Sequence, residues 1–145
     1  MKTLDGIIAA LYDVISGPAG EKRNWNRMRA LCKPELRLNA VGQSKDGSIH
    51  YVSMTLDEYI SRNGPFFEQN GFYERELSRQ TDQFGYISHV FTTYEIKFKP
   101  EGDVIMRGIN SVQLIYEQGR YWIINVLWNA ETPQHPLPER YLGEG

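Results

Sequence analysis

The side chains of this chain that could move a proton are few, and they sit on strand-like segments. His89 lies inside an apolar run, Ile87-Ser88-His89-Val90-Phe91, where partial burial would bring its ionisation across neutrality and suit it to general acid or base work. The competing reading is a structural histidine whose ring nitrogens are held by hydrogen bonds. Glu74 and Glu76 alternate with Arg75 and Arg79 along a second strand-like run, Phe72 to Phe84. Carboxylates on one strand face could form a site, and a buried one would have a raised pKa fit for proton transfer; the alternative is an exposed or interfacial charge ladder. Glu95 shares strand parity with His89, but six residues of strand hold them about 20 Å apart, so they cannot touch. Asn110 interrupts an apolar strand on the face that also carries Gly108, Val112 and Leu114. It and Tyr94 are the groups that could orient a carbonyl.

Several classes of function are set aside by what is missing. The formal charge is -2, with 16 Lys and Arg against 18 Asp and Glu, so the basic excess that binds a phosphate backbone is absent and nucleic acid is not expected. Cys32 is the single cysteine, which excludes an intrachain disulfide and any paired-cysteine metal motif. His50 and His135 have no metal-ligand company, so no metal and no cofactor is expected. No apolar run reaches the roughly 18 residues of a membrane span. The N-terminal Met1-Lys2-Thr3-Leu4-Asp5 leads into an amphipathic pattern unlike a signal peptide, and a cytoplasmic location is the expectation.

The elements that must position these groups can be read from spacing. Leu4, Ile7, Ile8, Leu11, Tyr12 and Ile15 recur at helical intervals, with Thr3 as the cap and Ser16-Gly17-Pro18 as the stop. A short second helix is predicted after Asn24, with Trp25, Met28, Leu31 and Cys32 on one face and Pro34 ending it. Strands follow at Leu36 to Val41 and Ile49 to Met54 around an Asp46-Gly47 turn. Thr55 and Glu58 form a capping box that starts a third helix, which Gly64-Pro65 should kink or split. Long strands then run from Phe72 to Phe84 and Tyr86 to Phe98, and Arg107 to Trp128 forms a hairpin turning at Glu117 to Arg120. Both strands of that hairpin are apolar on nearly both faces, so both faces need cover, and a homodimer through the sheet is expected. The tail, residues 131–145, carries Pro133, Pro136 and Pro138 and should run extended, with Leu137, Tyr141 and Leu142 docking near a sheet edge.

Helices first and a long-stranded sheet after them define an α+β domain spanning residues 1–145, with helices on one sheet face. The segments Phe84-Gly-Tyr-Ile-Ser-His-Val-Phe-Thr-Thr-Tyr-Glu95, Arg107-Gly-Ile-Asn-Ser-Val-Gln-Leu114 and Tyr121-Trp-Ile-Ile-Asn-Val-Leu-Trp128 resemble the nuclear transport factor 2-like superfamily, and within it the SnoaL-like bacterial members. That resemblance implies a cone: a curved antiparallel sheet wrapped around N-terminal helices, enclosing a pocket and commonly dimerising through its outer face. It does not imply one activity, because the superfamily holds isomerases, dehydratases, cyclases, epoxide hydrolases and plain binders. The carboxylates that its isomerases and cyclases place on inward strands have no counterpart here on the strands 105–116 and 121–129.

The expectation from sequence is a pocket that binds a small, mostly apolar or mixed-polarity molecule, lined by Tyr12, Trp25, Tyr59, Phe67, His89, Tyr94, Asn110 and Trp128. Acid-base catalysis by a cofactor-independent lyase, isomerase or cyclase, with His89, Glu74 or Glu76 as the proton-transfer group, is one alternative. A non-catalytic dimerisation module whose pocket is filled by its own aromatics is the other.

Overall fold

Thr3 starts the first helix as its spacing requires: the Thr3 hydroxyl accepts from the Gly6 amide at 3.0 Å, and α1 runs over Leu4–Ile15. The last carbonyls of α1 are met by a side chain that spacing does not announce. Arg23, only 5% exposed, donates to the carbonyls of Ile15 (2.8 Å) and Gly17 (2.9 Å), so a buried guanidinium closes the helix end. Helix α2 covers Trp25–Leu31; β1 (Cys32–Gln43) follows without a break, so Cys32 belongs to the strand and Pro34 lies within it. After β2 (Ile49–Met54) the Thr55–Glu58 capping box forms with both bonds in place, at 3.0 and 3.2 Å, and opens α3 (Leu56–Gln69). The expected break at Gly64-Pro65 does not occur; Pro65 sits inside a continuous helix. Proline's ring clashes with the Cβ of the residue before it, and Gly64 has none, which removes part of the penalty.

The remaining strands are β3 (Tyr73–Phe84), β4 (Ile87–Lys97), β5 (Val104–Glu117) and β6 (Arg120–Ala130), and a 3-10 turn covers Glu139–Tyr141. This computed structural model describes residues 1–143. The six strands form one open, curved sheet in the order β2-β1-β6-β5-β4-β3, an α+β architecture with the helices packed on one side. Four of the five pairings are antiparallel, and β1 against β6 is parallel. The β5–β6 turn places Gln118 (φ 55°) and Gly119 (φ 76°) in the left-handed region, the geometry that matches a hairpin's twist. The core lies between helices and sheet: Ile7, Ile8 and Leu11 of α1 and Met28 of α2 meet Val90, Val112, Leu114, Ile123 and Val126.

Two features decide which side chains look inward. On β4 the residues facing the helices are Val90, Thr92, Tyr94 and Ile96, which leaves His89, Phe91, Thr93 and Glu95 on the outer face. On β3 a bulge at Leu77 breaks the alternation: Glu76 opposes Tyr94, but Ser78 opposes Thr93 and Arg79 opposes Thr92. Glu74, Glu76 and Arg79 therefore all project toward the helices. Simple parity would have put Arg79 with Arg75 on the other side.

The tail supplies cover that the two-sided apolar strands demand. Glu131 accepts from Arg107 Nε at 2.6 Å and from the Leu137 amide at 2.9 Å, the Tyr141 ring meets Phe91 edge to face at 5.4 Å, and Gly143 abuts Leu77 and Ser78 of β3. It crosses the outer face from β5 over β4 and ends against β3, the edge strand of the sheet.

Candidate functional site

A cavity of about 340 Å³ opens between the three helices and the sheet. Leu11 and Ile15 of α1, Met28 of α2, and Tyr59, Asn63, Phe66 and Phe67 of α3 form one wall. Leu38, Glu74, Tyr94, Ile96, Asn110, Val126 and Trp128 from the strands form the other. The Tyr59 and Trp128 rings meet edge to face at 6.2 Å, and Tyr59 and Phe67 lie 6.4 Å apart, so the aromatic wall is packed against itself yet leaves space in front of it. Among the described residues no Lys, Arg or His borders the cavity, and Glu74 is its one acid.

Glu74 reaches this position because Ser16, at the end of α1, ties down the start of β3: the Glu74 amide donates to Ser16 Oγ at 3.0 Å, and that hydroxyl donates to the Tyr12 carbonyl at 2.8 Å. The residue is half-buried, and it borders two spaces, the apolar cavity and a cleft of about 600 Å³ between α1 and β3 that is lined by more charged residues. Burial pushes its carboxyl up to about 7, against the pull of one hydrogen bond from Asn110 Nδ2 at 3.3 Å. The same burial, reinforced by the Glu74 charge, raises the Tyr12, Tyr59 and Tyr94 hydroxyls, which stay neutral donors. Every sealed side-chain nitrogen or oxygen among the described residues has a hydrogen-bond partner. Among the described residues the Tyr59 and Tyr94 hydroxyls have no hydrogen-bond partner, and both residues border the cavity, where these groups can meet a ligand oxygen.

Chemically, this arrangement offers a carboxyl able to accept or release a proton near neutral pH, inside a space walled mostly by apolar side chains. Two phenolic donors stand ready for charge that develops on a neighbouring oxygen. Among the described residues no group of three or more His, Cys, Asp or Glu side chains is gathered in a way that would hold a metal ion.

The residues singled out from sequence fall into four groups. Glu74, Tyr59, Phe67, Tyr94, Asn110 and Trp128 border the cavity. Trp25 and Tyr12 stand just behind it: Trp25 packs on Tyr59 at 6.2 Å and Phe67 at 6.0 Å, and Tyr12 presents its hydroxyl to Asn110 at 3.1 Å. Glu76 turns inward but borders only the charged cleft, where Arg79 holds it. His89 is a correction. It lies on the outer face of β4, with Nε2 2.8 Å from Ser111 Oγ and its ring beside Phe91, because inward positions on β4 fall on even numbers. It neither reaches the cavity nor approaches Glu74.

Three participants carry no signal in the sequence. Thr92, fully buried, reads there only as a strand former; Asn63 reads as a surface helix residue; the consequence of Gly108 needs the partner strand to be known.

No family model matches this sequence, and no curated protein matches it. Solved structures do match in shape. A protein of unknown function with a cystatin-like fold from Nostoc punctiforme superposes with a TM-score of 0.67 at 9% identity, covering 93% of this chain and 92% of that one. A nuclear transport factor 2-like protein of unknown function from Silicibacter pomeroyi gives 0.57 at 10% identity, over 88% and 92%. A candidate ketosteroid isomerase from Shewanella frigidimarina gives 0.57 at 14%, over 86% and 92%. At such identities the likeness is one of fold. The chain has the nuclear transport factor 2-like, or cystatin-like, fold.

Proposed function

We propose that the cavity binds a small, mostly apolar molecule carrying a carbonyl or similar oxygen, and that Glu74 exchanges a proton with it. This is cofactor-independent isomerase, lyase or cyclase chemistry of the SnoaL-like kind. The observation that carries this reading is the single carboxyl, held near neutrality, in an apolar cavity that it shares with two unengaged tyrosine hydroxyls. Glu74 in its ionised form takes a proton from the carbon next to the carbonyl. The C–H electron pair moves into an enolate, whose oxygen Tyr94 or Tyr59 meets with a hydrogen bond. The proton then returns to a different carbon, or a leaving group departs, or the enolate carbon attacks a second carbonyl. With no cationic side chain on its walls, the cavity disfavours a ligand that brings its own carboxylate or phosphate.

A cyclic β-keto ester, whose acidic C–H stays un-ionised at neutral pH, is a direct probe in deuterated buffer. The wild-type protein is expected to bind it, by NMR line-broadening, and to speed exchange of its acidic C–H. Glu74→Gln should keep binding and lose roughly 10²–10⁴-fold in exchange rate. Binding without exchange would leave a non-catalytic binder; absence of binding across such compounds removes the reading altogether.

We further propose a homodimer through the part of the outer face that the tail leaves open, where Ile49 and Tyr51 of β2 and Leu127 of β6, the two strands that flank β1, are 66%, 64% and 39% exposed. Light scattering at micromolar concentration should give twice the chain mass, and a monomer there would refute it. A cytoplasmic location is proposed on the strength of the lone, buried Cys32. Among the described residues no helix is long and apolar enough to cross a membrane.

A further inference from the structure

A line of hydrogen bonds runs from the outside to the cavity, and each of its links has only one direction open to it. Arg79 grips Glu76 with Nε at 3.0 Å from both carboxylate oxygens and Nη2 at 2.7 Å from Oε1, while Nη1 donates to Asp5 at 2.6 Å. At neutral pH a carboxylate so gripped only accepts. Thr92 Oγ1, 2.6 Å from Glu76 Oε2, must therefore donate to it. That spends the one proton of Thr92, so Tyr12 Oη, at 2.8 Å, donates to Thr92. Tyr12 has then spent its own proton and can only accept, and the group 3.1 Å away is the amide nitrogen of Asn110. The same nitrogen lies 3.3 Å from Glu74 Oε2. The orientation of Asn110, donor rather than carbonyl toward Glu74, is dictated from the far end.

We propose that Glu76 is a positioning residue: through Thr92 and Tyr12 its charge fixes the Asn110 amide toward Glu74, and so sets how readily Glu74 takes up and releases a proton. This rests on the reading of Glu74 as the proton-exchanging group. Glu76 does not border the apolar cavity. Thr92, Tyr12 and Asn110 are 0%, 5% and 7% exposed, so water cannot easily replace a lost partner in the line. The other groups around Glu74 do not compete for this role. Tyr12, Tyr59 and Tyr94 face it as neutral hydroxyls from α1, α3 and β4. In the adjoining cleft Arg75 is paired with Glu95, Asp13 is paired with Arg27, and Lys97 completes the charged rim. Asn110 alone donates a side-chain hydrogen bond to the Glu74 carboxylate among the described residues.

The test is the titration of the Glu74 carboxyl itself, followed by carbon-13 NMR and assigned with Glu74→Gln. In Glu76→Gln, Arg79 draws the new amide oxygen to itself, leaving the NH2 group toward Thr92. Thr92 then accepts, its proton turns to Tyr12, that of Tyr12 turns to Asn110, and Asn110 must rotate to present oxygen. Ionised Glu74 would face an acceptor, and its midpoint should rise by about one pH unit. Direct electrostatics has the opposite sign, because the substitution leaves Arg79 less compensated and a nearby cation pulls the midpoint down. Thr92→Val cuts the line while keeping shape and should also raise the midpoint, and Thr92→Ser should restore it. The threonine pair decides alone should Glu76→Gln not fold. An unchanged or lowered midpoint in either folded variant overturns the proposal. A wild-type midpoint in the ordinary carboxylate range would instead refute the proton-exchange reading of Glu74, while the differences among variants would still judge the relay.

Discussion

Glu74→Gln is expected to make the protein more stable, and increasingly so as pH rises. The Glu74 carboxyl titrates near 4.5 in an unfolded chain and at about 7 in the fold. Below the lower value it is neutral in both states and costs nothing. Between the two, the folded protein keeps a proton that the unfolded chain has released, so stability falls with rising pH and levels off above the folded value. Spread over that interval, the loss amounts to about 3 kcal/mol, an upper figure for a group whose cavity admits some water. Glutamine has the same shape, retains an oxygen for the Asn110 amide and never ionises. At pH 8 the variant should melt about 10 °C above wild type, and at pH 4 the two should melt together. Parallel melting curves from pH 4 to 9 would show that Glu74 is not held near neutrality. A residue kept at such a cost to stability is the pattern expected of a working group, since activity and stability compete at such positions.

The elements were legible because local chemistry announces them. Thr3, the Thr55–Glu58 box and the Gln118-Gly119 turn each solve a backbone problem with residues adjacent in sequence, and each forms. What spacing could not carry is the assignment of faces. His89 stood out because Ile87, Val90 and Phe91 surround it, but β4 is covered on both sides, by core on one and partly by the tail on the other, so apolar neighbours do not say which way a polar residue points. Glu74 and Glu76 read as a charge ladder because the arginines alternate with them. The bulge at Leu77, which has no sequence mark, turns Arg79 to the glutamate side and leaves Glu74 without a cation. The site depends on these long-range registers, as does the line through Thr92, whose members come from α1, β3, β4 and β5.

Gly108→Ala is expected to be the most damaging small substitution in the sheet. Gly108 pairs with Tyr94 on β4 and with Ala130 on β6. A Cβ there would stand 2.4 Å from the Asn129 carbonyl oxygen, 2.5 Å from Tyr94 Oη and 2.7 Å from Tyr94 Cζ. None of these can retreat cheaply: Asn129 belongs to the backbone of a paired strand, and Tyr94 is 2% exposed. The missing side chain is what lets the Tyr94 ring lie over β5 and present its hydroxyl to the cavity. Overpacking of this kind costs about 3 kcal/mol or more, near 10 °C in melting temperature, and should displace Tyr94 from the cavity wall that it shares with Glu74. Tyr94→Ala in the same chain should recover only part of the loss, because the Asn129 oxygen stays. Gly42→Ala is the control, since its Cβ would meet nothing within 4 Å, and it should leave the melting temperature near that of wild type or slightly above. If Gly108→Ala melts within two or three degrees of the control, roughly the effect of 1 kcal/mol, the close approach of Tyr94 to β5 is wrong, and with it the placement of the hydroxyl on which the proposed enolate contact depends.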